Sequence, residues 1–210
     1  DFIEADKNQD ALGYFPLRQA ISTLVAQDYQ FTLPVEHLMI TSGGHQAIFL
    51  IVQALLNSGD AVAICQPSFL YALNLFQTAG IRLYGVPMDD QGMRLDLLET
   101  EILKHRVKLV MLNPTFQNPT GTTMSLARRK ALIKLCQTYK IPIIEDDAFG
   151  LLPFDKRQNL PPLKKLDPQN VIYIGSLSKI IGSTTKIGWI SAPPAVLEKL
   201  SIARQDLDLT

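Results

Sequence analysis

A regular alternation of short apolar runs with longer helical patterns constrains the fold of this chain most strongly. The candidate strands are Leu38–Thr41, Ala61–Cys65, Arg82–Val86, Lys108–Leu112, Ile141–Glu145, Val171–Ile174 and Ile187–Ala192. The candidate helices are Pro16–Tyr29, Gln46–Asn57, Ser68–Ala79, Leu95–His105, Ser125–Lys140 and Ala195–Asp206. Strands that alternate with helices predict a mostly parallel sheet that is covered by helices on both faces.

The composition is that of a globular chain without a strong electric field. Of the 210 residues, 47% are hydrophobic and 19% are charged, and the 20 Lys and Arg residues balance the 20 Asp and Glu residues. This balance does not favour binding of this segment to nucleic acid or to an anionic membrane. The basic cluster Arg128–Lys130 is expected on a solvated helix face. Cys65 and Cys136 lack the spacing of metal ligands and are expected to be core thiols.

The chain begins at Asp1 rather than at a methionine, and it ends inside a candidate helix. We therefore expect residues 1–210 to be one large domain of a longer protein. No apolar run is long enough for a membrane span, and no signal peptide opens the sequence. A cytoplasmic location is the expectation that follows.

Three segments carry further predictions about burial. The helix Ser125–Lys140 has an apolar stripe opposite its charges, so it is expected at the surface. The segment Ala47–Leu56 is apolar almost all round and is expected to be buried on every side. Its helix follows "TSGGHQ", and the free N–H groups of a helix start favour an anion. Residues 159–168, "NLPPLKKLDP", are expected to form a proline-rich surface loop.

The loops that follow the candidate strands are where a ligand is expected, since open α/β sheets bind ligands at the carboxyl edge. These loops are Ser42–His45, Gln66–Phe69, Asn113–Gly121, Asp146–Phe149 and Ser176–Lys186. Neither G-x-x-x-x-G-K-[ST] nor G-x-G-x-x-G after the first strand is present. A nucleotide-hydrolysing enzyme and a nicotinamide dehydrogenase are therefore not favoured.

Two lysines in the last of these loops, Lys179 and Lys186, suggest a different phosphate chemistry. Pyridoxal phosphate requires a lysine for its Schiff base, an acid opposite its ring nitrogen, and an anion site for its phosphate. A lysine close to another cation loses its proton more readily and becomes nucleophilic. By itself the pair is equally consistent with two solvated loop lysines, and only the other loops favour the cofactor.

Seven motifs occur in order along nearly the whole chain: "GYFPLRQAI", "ITSGGHQAI", "QPSFLYAL", "PTFQNPTG", "MSLARRKALI", "PIIEDDAFG" and "VIYIGSLSK" with "KIGWI". With these motifs the chain resembles the large domain of fold type I pyridoxal-phosphate aminotransferases of class I/II. Within that family it resembles the branch shared by aminoadipate-type aminotransferases and MocR/GntR-type regulators. The resemblance implies a three-layer α/β/α sandwich with a mostly parallel sheet and one antiparallel strand.

The resemblance also implies roles for three polar residues. Lys179 in "SLSK" matches the lysine that forms the Schiff base with pyridoxal 5'-phosphate. Asp146 in "EDDAF" matches the aspartate that pairs with the ring nitrogen and keeps it protonated. Asn118 in "NPTG" matches the asparagine that hydrogen-bonds the phenolic oxygen of the ring.

The phosphate site is implied by a loop and two hydroxyls. Gly43, Gly44 and His45 match the loop whose backbone N–H groups hold the phosphate, although a glutamine is more usual where His45 stands. Ser176 and Ser178 match hydroxyls around the phosphate and the lysine.

Three positions differ from the usual family pattern. Phe69 stands where an aromatic residue, usually tyrosine, stacks on the ring, and a phenyl face suffices for stacking. Phe149 stands where a tyrosine usually donates to the phenolic oxygen, so one hydrogen bond is lost. Lys186 replaces an arginine at the phosphate, which retains the charge but loses the bidentate geometry. These differences suggest a pocket that binds the cofactor but is not that of a fast aminotransferase.

Two functions remain open at this point. The first is an enzyme that transfers an amino group from an amino acid to a 2-oxo acid. The second is a sensor of an amine effector or of the cofactor in a transcriptional regulator, whose DNA contacts would come from an N-terminal domain. The family further implies a homodimer, and a small C-terminal domain with the arginine that binds the substrate carboxylate.

Overall fold

The structure is a computed structural model that describes residues 11–68, 70–152, 160–182 and 184–206. The strands are β1 Leu38–Thr41, β2 Ala61–Gln66, β3 Arg82–Asp89, β4 Gly92–Met93, β5 Leu109–Leu112, β6 Ile143–Asp146, β7 Val171–Ser176 and β8 Gly188–Ser191. The α-helices are α1 Phe15–Tyr29, α2 Gly44–Leu55, α3 Leu70–Thr78, α4 Leu95–His105, α5 Leu126–Tyr139, α6 Leu163–Leu166 and α7 Pro194–Gln205. Every strand and helix predicted from the sequence is present, with ends displaced by at most three residues, the largest difference being the end of β3 at Asp89 rather than Val86.

The strands form one sheet in the order β1-β8-β7-β6-β5-β2-β3-β4. The central strands β7, β6, β5, β2 and β3 pair in parallel. Strand β8 runs antiparallel to both of its neighbours, as the family resemblance implies. The two-residue strand β4 is also antiparallel, at the edge of the sheet, and was not predicted. The expectation of one antiparallel strand is therefore wrong, because β4 is antiparallel as well as β8.

Helices cover both faces of the sheet, which confirms the predicted α/β/α architecture. On one face, helices α2 and α7 pack against side chains such as Val62 and Ile64 of β2. On the other face, α4 and α5 pack against Ala61 and Ala63 of the same strand. Side chains that alternate along a strand point to opposite faces, so a strand covered on both faces is apolar throughout.

Helix α2 lies against the sheet through Ala47, Ile48, Leu50, Ile51 and Val52, which are all buried. The expectation of burial on every side is nevertheless wrong, because Gln53 is exposed to solvent. The helix therefore buries a wide face and keeps a narrow polar edge. Its N-terminus, which begins at Gly44, is at the carboxyl edge of the sheet.

The prediction that Arg128–Lys130 is a solvated helix face is wrong at its central residue. Arg129 is 0% exposed. Its guanidinium donates hydrogen bonds to the carbonyl oxygens of Met124, Pro114 and Pro161. Because these acceptors lie in loops that pack against α5, Arg129 joins the segments around it rather than facing water.

The proline-rich segment also differs from its prediction as a surface loop. Residue 159 lies outside the described residues, but Leu163–Leu166 form the short helix α6, and Lys164 is 2% exposed. The Lys164 ammonium donates to the carbonyl oxygens of Pro168 and Val171, at 2.7 Å each. These two bonds allow a lysine to be buried at the start of β7.

Both cysteines are free and buried, as predicted for core thiols. Burial raises the pKa of each thiol to about 12, so both stay protonated at neutral pH. In the part of the chain that the structure describes, each helix falls short of the length and apolarity that a membrane crossing requires.

Candidate active site

A cavity of about 460 Å³ opens at the carboxyl edge of the sheet, where β1, β5, β6 and β7 end. Ten of the eleven site residues predicted from the sequence line it, and the eleventh, Phe69, lies outside the described residues. The ten are Gly43, Gly44, His45, Asn118, Asp146, Phe149, Ser176, Ser178, Lys179 and Lys186. The cavity is also lined by Ser42, Ile48, Asn113 and Ala148, to which the sequence analysis assigned no role.

The glycine loop forms one wall of the cavity at the start of α2. Gly43 precedes the helix with φ = 91°, a backbone conformation that other residues rarely adopt. The Thr41 hydroxyl donates to the Gly43 carbonyl oxygen at 3.0 Å and fixes the orientation of this peptide. The first N–H groups of a helix have no partner within the helix, so this wall presents backbone donors. These donors lie where the sequence predicts an anion site.

Strand β8 passes very close to this loop. A Cβ atom on Gly188 would lie 2.7 Å from the backbone carbon of Gly43. Only glycine at this position allows the strand to support the loop from behind without displacing it.

The loop after β7 carries both lysines. Its first turn is held by the Ser178 backbone N–H, which donates to the Ser176 hydroxyl at 3.2 Å, and by the Ser178 hydroxyl, which donates to the Thr185 carbonyl oxygen at 3.2 Å. These bonds close the loop, so that Lys179 and Lys186, seven positions apart, line the same cavity. The Lys179 Nζ atom lies 5.6 Å from the centroid of the Phe149 ring, within the range of a cation–π contact.

Asp146 ends β6 and contributes the carboxylate of the cavity. Its Oδ1 atom accepts a hydrogen bond from the Ala148 N–H at 3.3 Å. Desolvation raises the pKa of Asp146, while hydrogen bonds from Asn113 and Ala148 and the charge of His45 oppose this rise. A cation placed beside this carboxylate would stabilise its ionised form.

The two acids that flank Asp146 point to the opposite side of the sheet. Glu145 accepts hydrogen bonds from the N–H groups of Leu163 and Lys164, both at 2.8 Å. Burial raises the pKa of Glu145 to about 8 and lowers that of the Lys164 ammonium to about 8. Glu145 thus caps the start of α6 from within the core.

Asp147 accepts hydrogen bonds from two tyrosines. The hydroxyl groups of Tyr29 and Tyr173 both donate to its Oδ2 atom, at 2.5 and 2.7 Å. Burial raises the pKa of Asp147 to about 6, which the two hydroxyl donors oppose. We call the group of Tyr29, Arg129, Glu145, Asp147 and Tyr173 the interior network.

The cavity offers complementary partners for a ligand that carries an anion and a basic nitrogen. Its lining combines the glycine loop, which presents backbone donors, with Lys179, Lys186 and the carboxylate of Asp146. Among the described lining residues Asp146 is the one acid. These residues fit pyridoxal phosphate, which carries a phosphate, an aldehyde and a basic ring nitrogen on one small ring.

Ser42 and Asn113 begin two of the loops in which a ligand was expected, but the sequence analysis gave neither residue a role of its own. Their position at strand ends was the available indication, because side chains at the carboxyl edge of a parallel sheet converge. Ser42 lies within the motif "ITSGGHQAI" and Asn113 lies just before "PTFQNPTG", and the family resemblance assigned a function to neither.

The aminotransferase class I and II family profile matches residues 4–207 of this chain. The chain is 38% identical over 203 residues to aromatic-amino-acid aminotransferase 1 from Thermococcus litoralis, covering 94% of this chain and 48% of that protein. It is 37% identical over 209 residues to the uncharacterized HTH-type transcriptional regulator YdfD from Bacillus subtilis, covering 98% of this chain and 42% of that protein. The chain thus spans about half the length of these curated relatives.

Solved structures give the same result. The kynurenine aminotransferase from Pyrococcus horikoshii, solved in complex with PMP, superposes with a TM-score of 0.87 at 35% identity. That match covers 98% of this chain and 52% of the other. Sequence, fold and cavity together confirm the resemblance, and the chain belongs to the aminotransferase class I and II family.

Proposed function

We propose that this chain binds pyridoxal 5'-phosphate and transfers an amino group from an amino acid to a 2-oxo acid. The observation that carries the proposal is the gathering of ten predicted site residues, from four separate loops, around one cavity. A fold of this kind supports many activities, so the argument rests on the site rather than on the architecture.

The lining residues would each hold a different part of the cofactor. The backbone N–H groups of Gly44 and His45 would bind the phosphate, and Lys186 would add a positive charge. Asp146 would pair with the ring nitrogen, and the Asn118 amide would donate to the ring oxygen. Lys179 would condense with the aldehyde carbon, with loss of water.

When bound, pyridoxal phosphate supplies an electron sink for the electron pair left by a departing proton. Asp146 would hold the proton on the ring nitrogen, because the protonated nitrogen is a cation that stabilises the desolvated carboxylate. Lys179 moves the proton of the substrate carbon through its Nζ atom, as a general base and then as a general acid. The contact with the Phe149 ring places that atom on one side of the cavity.

Two residues moderate the expected rate. Phe149 has no hydroxyl group to donate to the ring oxygen, so Asn118 is the side chain left for that bond. Lys186 binds an anion as a point charge and lacks the two parallel hydrogen bonds of an arginine. We therefore expect cofactor binding with turnover below that of a fast aminotransferase.

The second candidate is the effector-sensing domain of a transcriptional regulator. It is supported by the similarity to YdfD, whose name marks it as an HTH-type regulator and which matches nearly the whole of this chain. The absence of a hydroxyl group at Phe149 favours the same alternative, because a sensor needs to bind the cofactor or an amine without rapid turnover.

The test is to incubate the intact protein with pyridoxal phosphate, reduce it with borohydride and map the labelled peptide. We expect one label, on Lys179, which disappears in Lys179→Ala and remains in Lys199→Ala, a change at an exposed lysine of α7. Transfer is then measured with a panel of amino acids and 2-oxo acids. Labelling of another lysine would contradict the site, and labelling of Lys179 without transfer would favour the sensor.

A further inference from the structure

Asn113 lies directly beside Asp146 at the edge of the sheet. Strands β5 and β6 are parallel neighbours in which Leu112 pairs with Glu145, so the next residue of each strand is again adjacent. The Asn113 Nδ2 atom donates a hydrogen bond to the Asp146 backbone carbonyl oxygen at 3.0 Å. Both side chains line the main cavity.

Asp146 borders a second cavity besides the main one. This small cavity has a volume of about 20 Å³ and is lined by both Asp146 and Asn113. The Asp146 carboxylate accepts a hydrogen bond from the Ala148 N–H at 3.3 Å. A side chain that borders open space depends on neighbouring hydrogen bonds to hold one orientation.

We propose that Asn113 is a positioning residue that fixes the end of β6, and with it the direction in which Asp146 presents its carboxylate to the cofactor ring. The proposal rests on the proposed function, because it assigns to Asp146 the ring nitrogen as partner. An amide suits this role because it donates a hydrogen bond and carries no charge. Asp146 then remains the one acid among the described lining residues. The same cavity is lined by Lys179, Lys186 and His45, which is a cation when protonated.

Strand β6 offers a matched control at its other end. The Asn170 Nδ2 atom donates to the backbone carbonyl oxygen of Ile141, at 2.8 Å, just before the strand begins. Asn113 and Asn170 thus make the same kind of bond at the two ends of one strand, and only Asn113 lies at the cavity. A role in stability alone predicts similar consequences for the two residues.

The experiment compares Asn113→Ala, Asn113→Leu and Asn170→Ala with the wild type in the intact protein. Leucine has the same number and branching of side-chain heavy atoms as asparagine but no hydrogen-bonding group, so it removes the hydrogen bond without creating a void. We expect both Asn113 variants to bind pyridoxal phosphate about fivefold to tenfold more weakly, the range for one lost hydrogen bond. The visible absorption of the bound cofactor reports the proton on the Schiff-base nitrogen and should titrate at higher pH. A misaligned Asp146 holds the ring proton less firmly, and loss of that positive charge raises the pKa of the Schiff-base nitrogen.

The outcomes are distinguishable. Asn170→Ala should bind and titrate as the wild type does, whatever its thermal stability. Asn113 variants that fold, and that bind and titrate like the wild type, would overturn the positioning role while leaving the proposed function intact. Equal changes in Asn113→Leu and Asn170→Ala would overturn it as well, since they indicate a general loss of stability. A wild-type protein that does not bind pyridoxal phosphate would overturn the proposed function and this inference with it.

Discussion

Strand β6 ends in acids that serve two different regions of the molecule. Asp146 faces the cavity, whereas its neighbours Glu145 and Asp147 are buried in the interior network on the other side of the sheet. In the interior, Glu145 accepts two backbone N–H groups and Asp147 accepts two tyrosine hydroxyls. In the cavity, Asp146 accepts a 3.3 Å hydrogen bond from the Ala148 N–H, and a hydrogen bond from Asn113 also opposes the rise of its pKa.

The comparison shows that three consecutive acids have different roles, which depend on the side of the sheet that each one faces. The interior acids accept hydrogen bonds within the chain, although the Oδ1 atom of Asp147 has no hydrogen-bond partner among the described residues. Arg129 supplies a buried positive charge that acts on both acids. The cavity acid lines the same cavity as Lys179 and Lys186. Charges satisfied within the chain stabilise the fold, and charges directed into a cavity are available to a ligand.

The largest effect is expected from breaking the interior network at Arg129. Arg129→Met removes the donor of hydrogen bonds to three carbonyl oxygens and leaves the buried acids without their cation. We expect the free energy of unfolding to fall by about 3–5 kcal/mol. The control Lys130→Met, an exposed residue on the same helix, should change it by less than about 0.5 kcal/mol. Urea unfolding measures both, and equal losses would contradict the structural role of Arg129.

A smaller effect is expected in the pH dependence of stability. Burial raises the pKa of Asp147 to about 6, so the folded protein holds this proton to a higher pH than the unfolded chain does. The stabilisation is complete below about pH 4, where Asp147 is protonated in both the folded and the unfolded protein, and it is lost as the pH rises to about 6, by about 3 kcal/mol. Asp147→Asn keeps an acceptor for the two tyrosines and cannot ionise, so its profile should be flatter. Thermal melting between pH 4 and 7 compares the two proteins, and parallel profiles would show that Asp147 does not titrate in this window.

The smallest effect concerns the cavity side and its aromatic residue. Phe149→Tyr adds a hydroxyl group beside Lys179, where it can donate to the ring oxygen of the cofactor. We expect the visible absorption of bound pyridoxal phosphate to titrate at lower pH, by up to about 0.7 unit, the equivalent of one net hydrogen bond. The stability of the protein should stay within about 0.5 kcal/mol of the wild type. An unchanged titration would mean that residue 149 does not reach the cofactor.

The sequence by itself determined the elements of the fold and the residues that gather at the cavity. Apolar periodicity over four residues or more located each of the longer strands and helices, because burial against a sheet requires it. Ordered motifs placed Asp146 and Lys179 at strand ends, and parallel strands bring such ends to one edge. Strand β4 was not predicted, because two residues are too few to show a period in the apolar pattern.

Only the tertiary structure decided which charged residues are buried. Arg129 and Lys164 have the sequence context of a solvated helix face and of a surface loop. Arg129 is buried because Pro114 and Pro161, from other loops, provide carbonyl acceptors. Lys164 is buried because the nearby Val171 carbonyl oxygen accepts its hydrogen bond and the carboxylate of Glu145, from another strand, acts on its charge. Asn113 became visible as a neighbour of Asp146 for the same reason, since β5 and β6 meet only in the folded sheet. A local pattern describes what a segment can bury, whereas the partners that make burial of a charge possible come from elsewhere in the chain.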